Sequence, residues 1–116
     1  MYNDLCLHVD SAAPETLQLL LANAANYYKD LPDGDASRLE VVANGPAVTL
    51  FTDAHKDLRD KAEPLMARGM RVKLCANAIA GFGVDRERLW PGCEIVPGGV
   101  FELIRLQREG FAYIKP

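Results

Sequence analysis

The chain has 116 residues, enough for one domain with a single hydrophobic core. Its hydrophobic content of 49% and charged content of 25% are ordinary for a globular protein. A net charge of -3 argues against nucleic acid as the main partner, since nucleic acid favours a basic surface. No apolar run approaches the roughly 20 residues that cross a membrane, so we expect no membrane partner.

The N-terminus and the cysteines predict the cellular compartment. The first residues lack the basic start and long apolar stretch of a signal peptide, which predicts a cytoplasmic protein. Three cysteines, Cys6, Cys75 and Cys93, cannot all pair, and we expect reduced thiols. A Cys75–Cys93 disulfide is an open alternative.

Apolar patterning in the first half predicts two strands and one helix. Leu5 to Val9 is the first strand. A helix begins at Pro14, because the first helical turn tolerates proline, and reaches about Tyr28. A turn cluster at residues 31–35 separates this helix from the second strand, at residues 39–43.

The second half continues the alternation. Asn44-Gly45-Pro46 ends the second strand, and a helix follows at residues 54–68, which Pro64 is expected to kink or divide. Three further strands and two helices complete the pattern. They are a strand at 70–74, a short helix at 77–80, a strand at 93–96, a helix at 100–108 and a strand at 111–114.

This alternation predicts the fold class. Residues 1–116 are expected to form a single domain, a three-layer α/β/α sandwich with a five-stranded, mainly parallel sheet. We expect the flavodoxin-like strand order 2-1-3-4-5, in which strands one and three are neighbours. His8 and Cys75 would then lie close together, and His8 could serve as a base for Cys75.

Cys75 is the main candidate for chemistry. It ends the strand Val72-Lys73-Leu74, at the sheet edge where ligand and catalytic groups collect in parallel α/β folds. Free N–H groups of the following helix favour the thiolate, which is the reactive form. The alternative is a small buried hydrophobe, which most free cysteines are.

Other polar residues near the same edge allow two interpretations each. Asn44 and Asn77 follow strands, where their amides could orient a ligand, although asparagine is also common in turns and helix caps. We interpret His8 as a pocket or core histidine rather than a metal ligand, because the spacing of paired metal ligands is absent. Metal binding through His8 and Cys75 is a further alternative, but we predict no metal and no cofactor. Trp90 is interpreted as a lid over the sheet edge or an interface anchor.

Five sequence blocks together carry a family resemblance. They are Asn44-Gly45-Pro46-Ala47-Val48, Arg68-Gly69-Met70-Arg71-Val72, Leu74-Cys75-Ala76-Asn77-Ala78, residues 91–97 and residues 99–115. In these blocks the chain resembles the DsrE/DsrF-like (YchN-type) proteins. The resemblance implies a three-layer α/β/α fold and assembly into trimers or hexamers. It also implies a relation to sulfur-relay proteins, in which a cysteine after the third strand carries sulfur as a persulfide. Cys75 stands at the matching position.

Two functions of different classes follow. The first is intracellular sulfur transfer by a homo-oligomer, with Cys75 as persulfide carrier, Asn77, Asn44 and His8 as ligand-binding or orienting residues, and sulfur donor and acceptor proteins as partners. The alternative is a non-catalytic oligomeric module that binds a small ligand near Asn44, Cys75 and Trp90. Apolar residues of the last helix and strand, among them Phe101, are core by default, but a subunit interface would use the same residues.

Overall fold

The computed structural model describes residues 2–116, in which five parallel strands form one sheet. The strands are β1 (Leu5–Val9), β2 (Leu39–Ala43), β3 (Arg71–Cys75), β4 (Glu94–Val96) and β5 (Ala112–Ile114). The helices are α1 (Pro14–Asp30), α2 (Lys56–Ala67), α3 (Ala76–Gly81) and α4 (Gly99–Arg108), and short 3-10 helices occupy Gly45–Leu50, Asp53–His55 and Arg86–Arg88. The predicted α/β class with a parallel five-stranded sheet is confirmed.

The strand order differs from the expected 2-1-3-4-5. The sheet runs β4-β3-β2-β1-β5, so β2 lies between β1 and β3. The first three crossovers all step in one direction, and right-handed crossovers therefore place their helices on one face. The crossover from β4 to β5 returns in the opposite direction, which places α4 on the other face. Consequently His8 and Cys75 lie on strands about 10 Å apart, and the expected neighbouring pair is not formed.

The two faces of the sheet carry different side chains. Strand residues of one face, such as Leu7, Val41 and Leu74, belong to the large apolar cluster that includes residues of α1 and α2. The opposite face forms a smaller cluster with α4 and the segment leading into β5. That cluster consists of Cys6, Val42, Leu103, Leu106 and Phe111. Both faces are covered, which explains why β1 and β2 read as continuous buried runs.

Charged residues complete the α4 face. Lys73 on β3 exposes only 3% of its surface, and its Nζ lies 2.5 Å from Glu40 Oε1 and 2.5 Å from Glu102 Oε2. Arg105 hydrogen-bonds the Glu102 carboxylate as well, and the bonds from Arg105 and Lys73 outweigh burial and lower the pKa of Glu102 to about 2. A buried lysine is tolerated here because two carboxylates surround it.

Two local features differ from what the sequence suggested. Of the two outcomes expected at Pro64, division of the helix is not seen, because α2 continues through Pro64 to Ala67. Pro64 has no backbone N–H, so the carbonyl of Asp60 lacks the hydrogen bond that it would otherwise accept within the helix. Asp60 and Pro64 are both exposed, and water can replace that bond. Trp90 is not a lid, because it is 97% buried against Phe51, and its Nε1 donates to Thr52 O at 2.8 Å.

Candidate functional site

A cleft of about 450 Å³ opens at the carboxyl edge of the sheet. It lies where the loop after β2, the end of β3, α3 and the start of α4 meet. Its lining includes Asn44, Cys75, Asn77, Phe82 and residues 98–101. The carboxyl ends of parallel strands are the usual position of ligand sites in this class of fold. Three of the predicted site residues therefore share one cleft.

Gly99 permits an unusually close approach between α4 and the sheet. A Cβ atom on Gly99 would lie 2.9 Å from the Cβ of Asn44 and 3.3 Å from the Cβ of Cys75. No residue with a side chain fits at this distance without displacing a neighbour. The first residue of α4 thus sits directly against the two strand ends that bear Asn44 and Cys75.

Cys75 is buried yet lines the cleft. The residue exposes 6% of its surface and occupies the position before α3.

The start of α4 has no side-chain cap, and the N–H of Glu102 donates to Gly98 O at 3.1 Å. The N–H groups of Gly99, Val100 and Phe101 precede that bond and are therefore not used inside the helix. Their partial positive charge favours an anion in the cleft beside them.

The other two thiols have surroundings that oppose ionisation. Burial, reinforced by the nearby Glu40 and Glu102 carboxylates, raises the pKa of Cys6 to about 12. Burial and the adjacent Glu94 raise the pKa of Cys93 to about 12. All three cysteines are free in the structure, which does not form the alternative Cys75–Cys93 disulfide. Neither Cys6 nor Cys93 lines the cleft.

His8 is buried at the end of β1 and makes two side-chain contacts. Its Nε2 lies 2.8 Å from Asn44 Oδ1, and its Nδ1 lies 2.5 Å from the hydroxyl oxygen of Tyr113. The intervening β2 separates it from Cys75. The structure therefore brings His8 to Asn44, and only through Asn44 to the cleft.

Asn77 is an exposed residue in the first turn of α3. Its Nδ2 would lie 3.8 Å from a Cβ atom on Gly98, so its amide faces the loop that leads into α4. Asn44 and Asn77 both line the cleft with Cys75.

The start of α4 is the part of the site that sequence reasoning did not identify. The expected last helix covers residues 100–108, whereas α4 begins at Gly99, and Gly98, Gly99 and Phe82 are not among the predicted site residues. The available signal was a pair of glycines after a strand at the start of a helix, where a capping serine, threonine or aspartate is the usual choice. Glycine in that place indicates a close approach of the backbone to another group.

Within residues 2–116, no three histidine, cysteine or acidic side chains are grouped closely enough to hold a metal ion. In the same part of the chain, no helix has both the length and the apolar character required to cross a bilayer.

Comparison with known proteins identifies the family. The model of the DsrE/DsrF-like family matches residues 5–116. The chain belongs to the DsrE/DsrF-like family. This DsrE-like chain is 30% identical to a protein of unknown function, MTH1491 from Methanobacterium thermoautotrophicum. The two structures superpose with a TM-score of 0.87 over 98% of this chain and 99% of that chain.

A second solved structure shows the same fold at lower identity. The conserved protein of unknown function BT1422 from Bacteroides thetaiotaomicron has a TM-score of 0.75 at 15% identity, covering 98% of this chain and 95% of that chain. A search of curated proteins finds no significant match.

Proposed function

We propose that this DsrE-like protein transfers sulfur in the cytoplasm, with Cys75 as the persulfide carrier. The observation that carries the proposal is the position of Cys75, which opens into the cleft beside the uncapped start of α4. Membership of the DsrE/DsrF-like family supports the same chemistry.

The proposed reaction is thiol exchange and needs no oxidant or reductant. The Cys75 thiolate attacks the outer sulfur of a donor persulfide. A bond forms between Cys75 Sγ and that sulfur, the sulfur–sulfur bond of the donor breaks, and the donor leaves as a thiolate. In the second step an acceptor thiolate attacks the outer sulfur on Cys75, which returns to its thiolate form.

The cleft supplies what this exchange requires. The attacking, leaving and carried sulfurs are all anionic at some stage, and the free N–H groups of Gly99, Val100 and Phe101 favour negative charge there. The amides of Asn44 and Asn77 are further donors at the opening. The buried position of Cys75 limits access to small persulfides or to a donor cysteine on an extended segment.

Intact mass spectrometry tests the proposal. The purified protein is incubated with a small persulfide donor and weighed, and Cys75→Ser is treated identically. We expect addition of one sulfur atom to the wild type, its loss in Cys75→Ser and its retention in Cys93→Ser. No addition to the wild type, or equal addition to Cys75→Ser, refutes sulfur carriage.

We further propose that the protein is a homo-oligomer, a trimer or hexamer, which buries the apolar surface beside the cleft. Phe101 is 79% exposed, Val100 61% and Phe82 53%, and all three line the same opening. Clustered exposed apolar residues are typical of interaction surfaces. We expect Phe101→Ser to lower the mass measured by light scattering toward that of one chain. A wild type that is monomeric at high concentration refutes the oligomer.

The alternative function is non-catalytic binding of a small ligand. The specific observation in its favour is the cleft volume of about 450 Å³, which lies within the usual range for ligand sites. Native mass spectrometry of the purified protein distinguishes the two, because a bound small molecule that survives Cys75→Ser supports binding without sulfur chemistry.

A further inference from the structure

The hydrogen bonds of His8 determine which of its nitrogens carries a proton. The Asn44 oxygen accepts hydrogen bonds and cannot donate, so the Nε2 of His8, at 2.8 Å, must be the donor. In the neutral ring Nδ1 is then an acceptor, and the Tyr113 hydroxyl, at 2.5 Å, donates to it. The Asn44 oxygen therefore selects the tautomer, and the donated bond from the Tyr113 hydroxyl stabilises it.

The same contact fixes the orientation of the Asn44 amide. With Oδ1 held by the ring, Nδ2 occupies the other branch of the carboxamide and points away from His8. Within residues 2–116 the hydrogen bond of the Asn44 side chain is made by Oδ1 to His8, and Nδ2 makes none to a protein acceptor. Asn44 and Cys75 line the same cleft. Their Cβ atoms lie close together, since a Cβ atom placed on Gly99 would be 2.9 Å from that of Asn44 and 3.3 Å from that of Cys75.

We infer that His8 is a positioning residue, which holds Asn44 Oδ1 so that the Asn44 Nδ2–H group is directed at the anionic sulfur on Cys75. The inference rests on the proposed sulfur chemistry and extends it. The acceptor is the thiolate before loading and the outer persulfide sulfur after loading. His8 itself takes up no proton from Cys75, because β2 separates the two residues.

The test measures alkylation of Cys75 by iodoacetamide at a fixed neutral pH, in a Cys93→Ser background, with the modified site located by peptide mass spectrometry. Asn44→Ala and His8→Phe are each expected to slow the reaction by about tenfold, since a hydrogen bond to a charged group contributes this order. Phenylalanine keeps the ring volume at position 8 and removes both bonds.

The double variant separates positioning from general loosening of the fold. If His8 acts only through Asn44, then His8→Phe combined with Asn44→Ala is no slower than Asn44→Ala alone. The inference is overturned if the alkylation rate of the double variant is reduced by the product of the two single-variant reductions. It is also overturned if Asn44→Ala reacts slowly while His8→Phe reacts within about twofold of the parent rate.

A milder variant guards against misfolding at position 8. Tyr113 is 40% exposed, and Tyr113→Phe removes one hydroxyl only. It is expected to slow alkylation by about threefold in the parent and to have no effect in Asn44→Ala. An equal effect in both backgrounds counts against the inference.

The two proposals fail in different ways. If the wild type takes up no sulfur while the alkylation pattern holds, sulfur carriage is refuted and the role of His8 in Asn44 orientation stands. If sulfur is taken up but the variants are additive, the role of His8 alone is refuted.

Discussion

Replacing Gly99 by alanine tests the geometry at the centre of the site. The added Cβ would lie 2.9 Å from the Cβ of Asn44, closer than two carbon atoms can approach, and 3.3 Å from the Cβ of Cys75. Either α4 must retreat from the sheet or Asn44 must move. Both responses are costly, because the atoms in contact are Cβ atoms, which are bonded directly to the backbone and cannot move aside as the end of a flexible side chain can.

The expected magnitude follows from the cost of forcing one methyl group into a packed contact, about 1–3 kcal/mol. With a urea dependence of about 2 kcal/mol per molar, a loss of about 2 kcal/mol lowers the unfolding midpoint by about 1 M. Alanine also reduces unfolded-state freedom, which offsets up to about 1 kcal/mol of this cost.

The matched control is Gly81→Ala. Gly81 lies at the end of α3, and no atom lies within 4 Å of the position that its Cβ would take. Alanine at this position therefore reduces the freedom of the unfolded chain without causing a clash. We expect urea unfolding to show Gly81→Ala at or above the parent midpoint and Gly99→Ala clearly below it, with slower Cys75 alkylation. Equal midpoints for the two variants, with unchanged Cys75 reactivity, refute the close approach at Gly99.

The remaining predictions concern the charged side chains. The pKa of Glu102 is about 2 when folded against 4.5 for the free side chain, so the folded protein binds fewer protons. This pKa difference corresponds to about 3 kcal/mol of folding stability, which is present above pH 4.5 and is lost as the pH falls toward 2. Over that pH range, the urea midpoint of Glu102→Gln should fall less than the midpoint of the parent protein. Lys73→Met leaves the buried Glu40 with Arg71 at 3.9 Å and leaves Glu102 with Arg105, so it should cost about 3 kcal/mol in the same assay, the lower end for a broken buried pair. Glu63→Gln removes the exposed partner of the half-buried Arg59 and should cost less than about 1 kcal/mol. A Lys73→Met midpoint equal to that of Glu63→Gln would contradict the buried network.

Local structure was predictable because each strand and helix carries its own pattern. β1 and β2 begin and end where their apolar runs do, and α1 begins at Pro14 as expected. The strand order was not predictable in this way, since the sequence of β2 does not specify which neighbours it takes. Placing β2 in the middle of the sheet requires knowing that three successive crossovers step in the same direction.

The same difference explains what could be predicted of the site. Cys75, Asn44 and Asn77 line one cleft because each lies at or just after the carboxyl end of a strand, and the alternation of elements already predicts that these ends share one edge of the sheet. The contact between His8 and Asn44 depends on β1 and β2 being neighbours, and the contact between His8 and Tyr113 depends on β5 lying beside β1. These contacts join residues 36 and 105 positions apart, and no local pattern encodes them.

The buried charges on the α4 face also bear on Cys75. Lys73 and Cys75 project from the same side of β3, because they are two residues apart in a strand. Glu102 follows Gly99 by three residues and so lies on the same side of α4. The Lys73–Glu102 bond therefore fixes α4 one turn from the point where Gly99 meets Cys75. The buried hydrogen bond from Lys73 Nζ to Glu102 Oε2, at 2.5 Å, requires this turn of α4 to stay at one position against β3. The paired charges of Lys73, Glu40 and Glu102, which replace apolar packing on this face of the sheet, thereby keep Gly99 at the start of α4 in contact with Cys75.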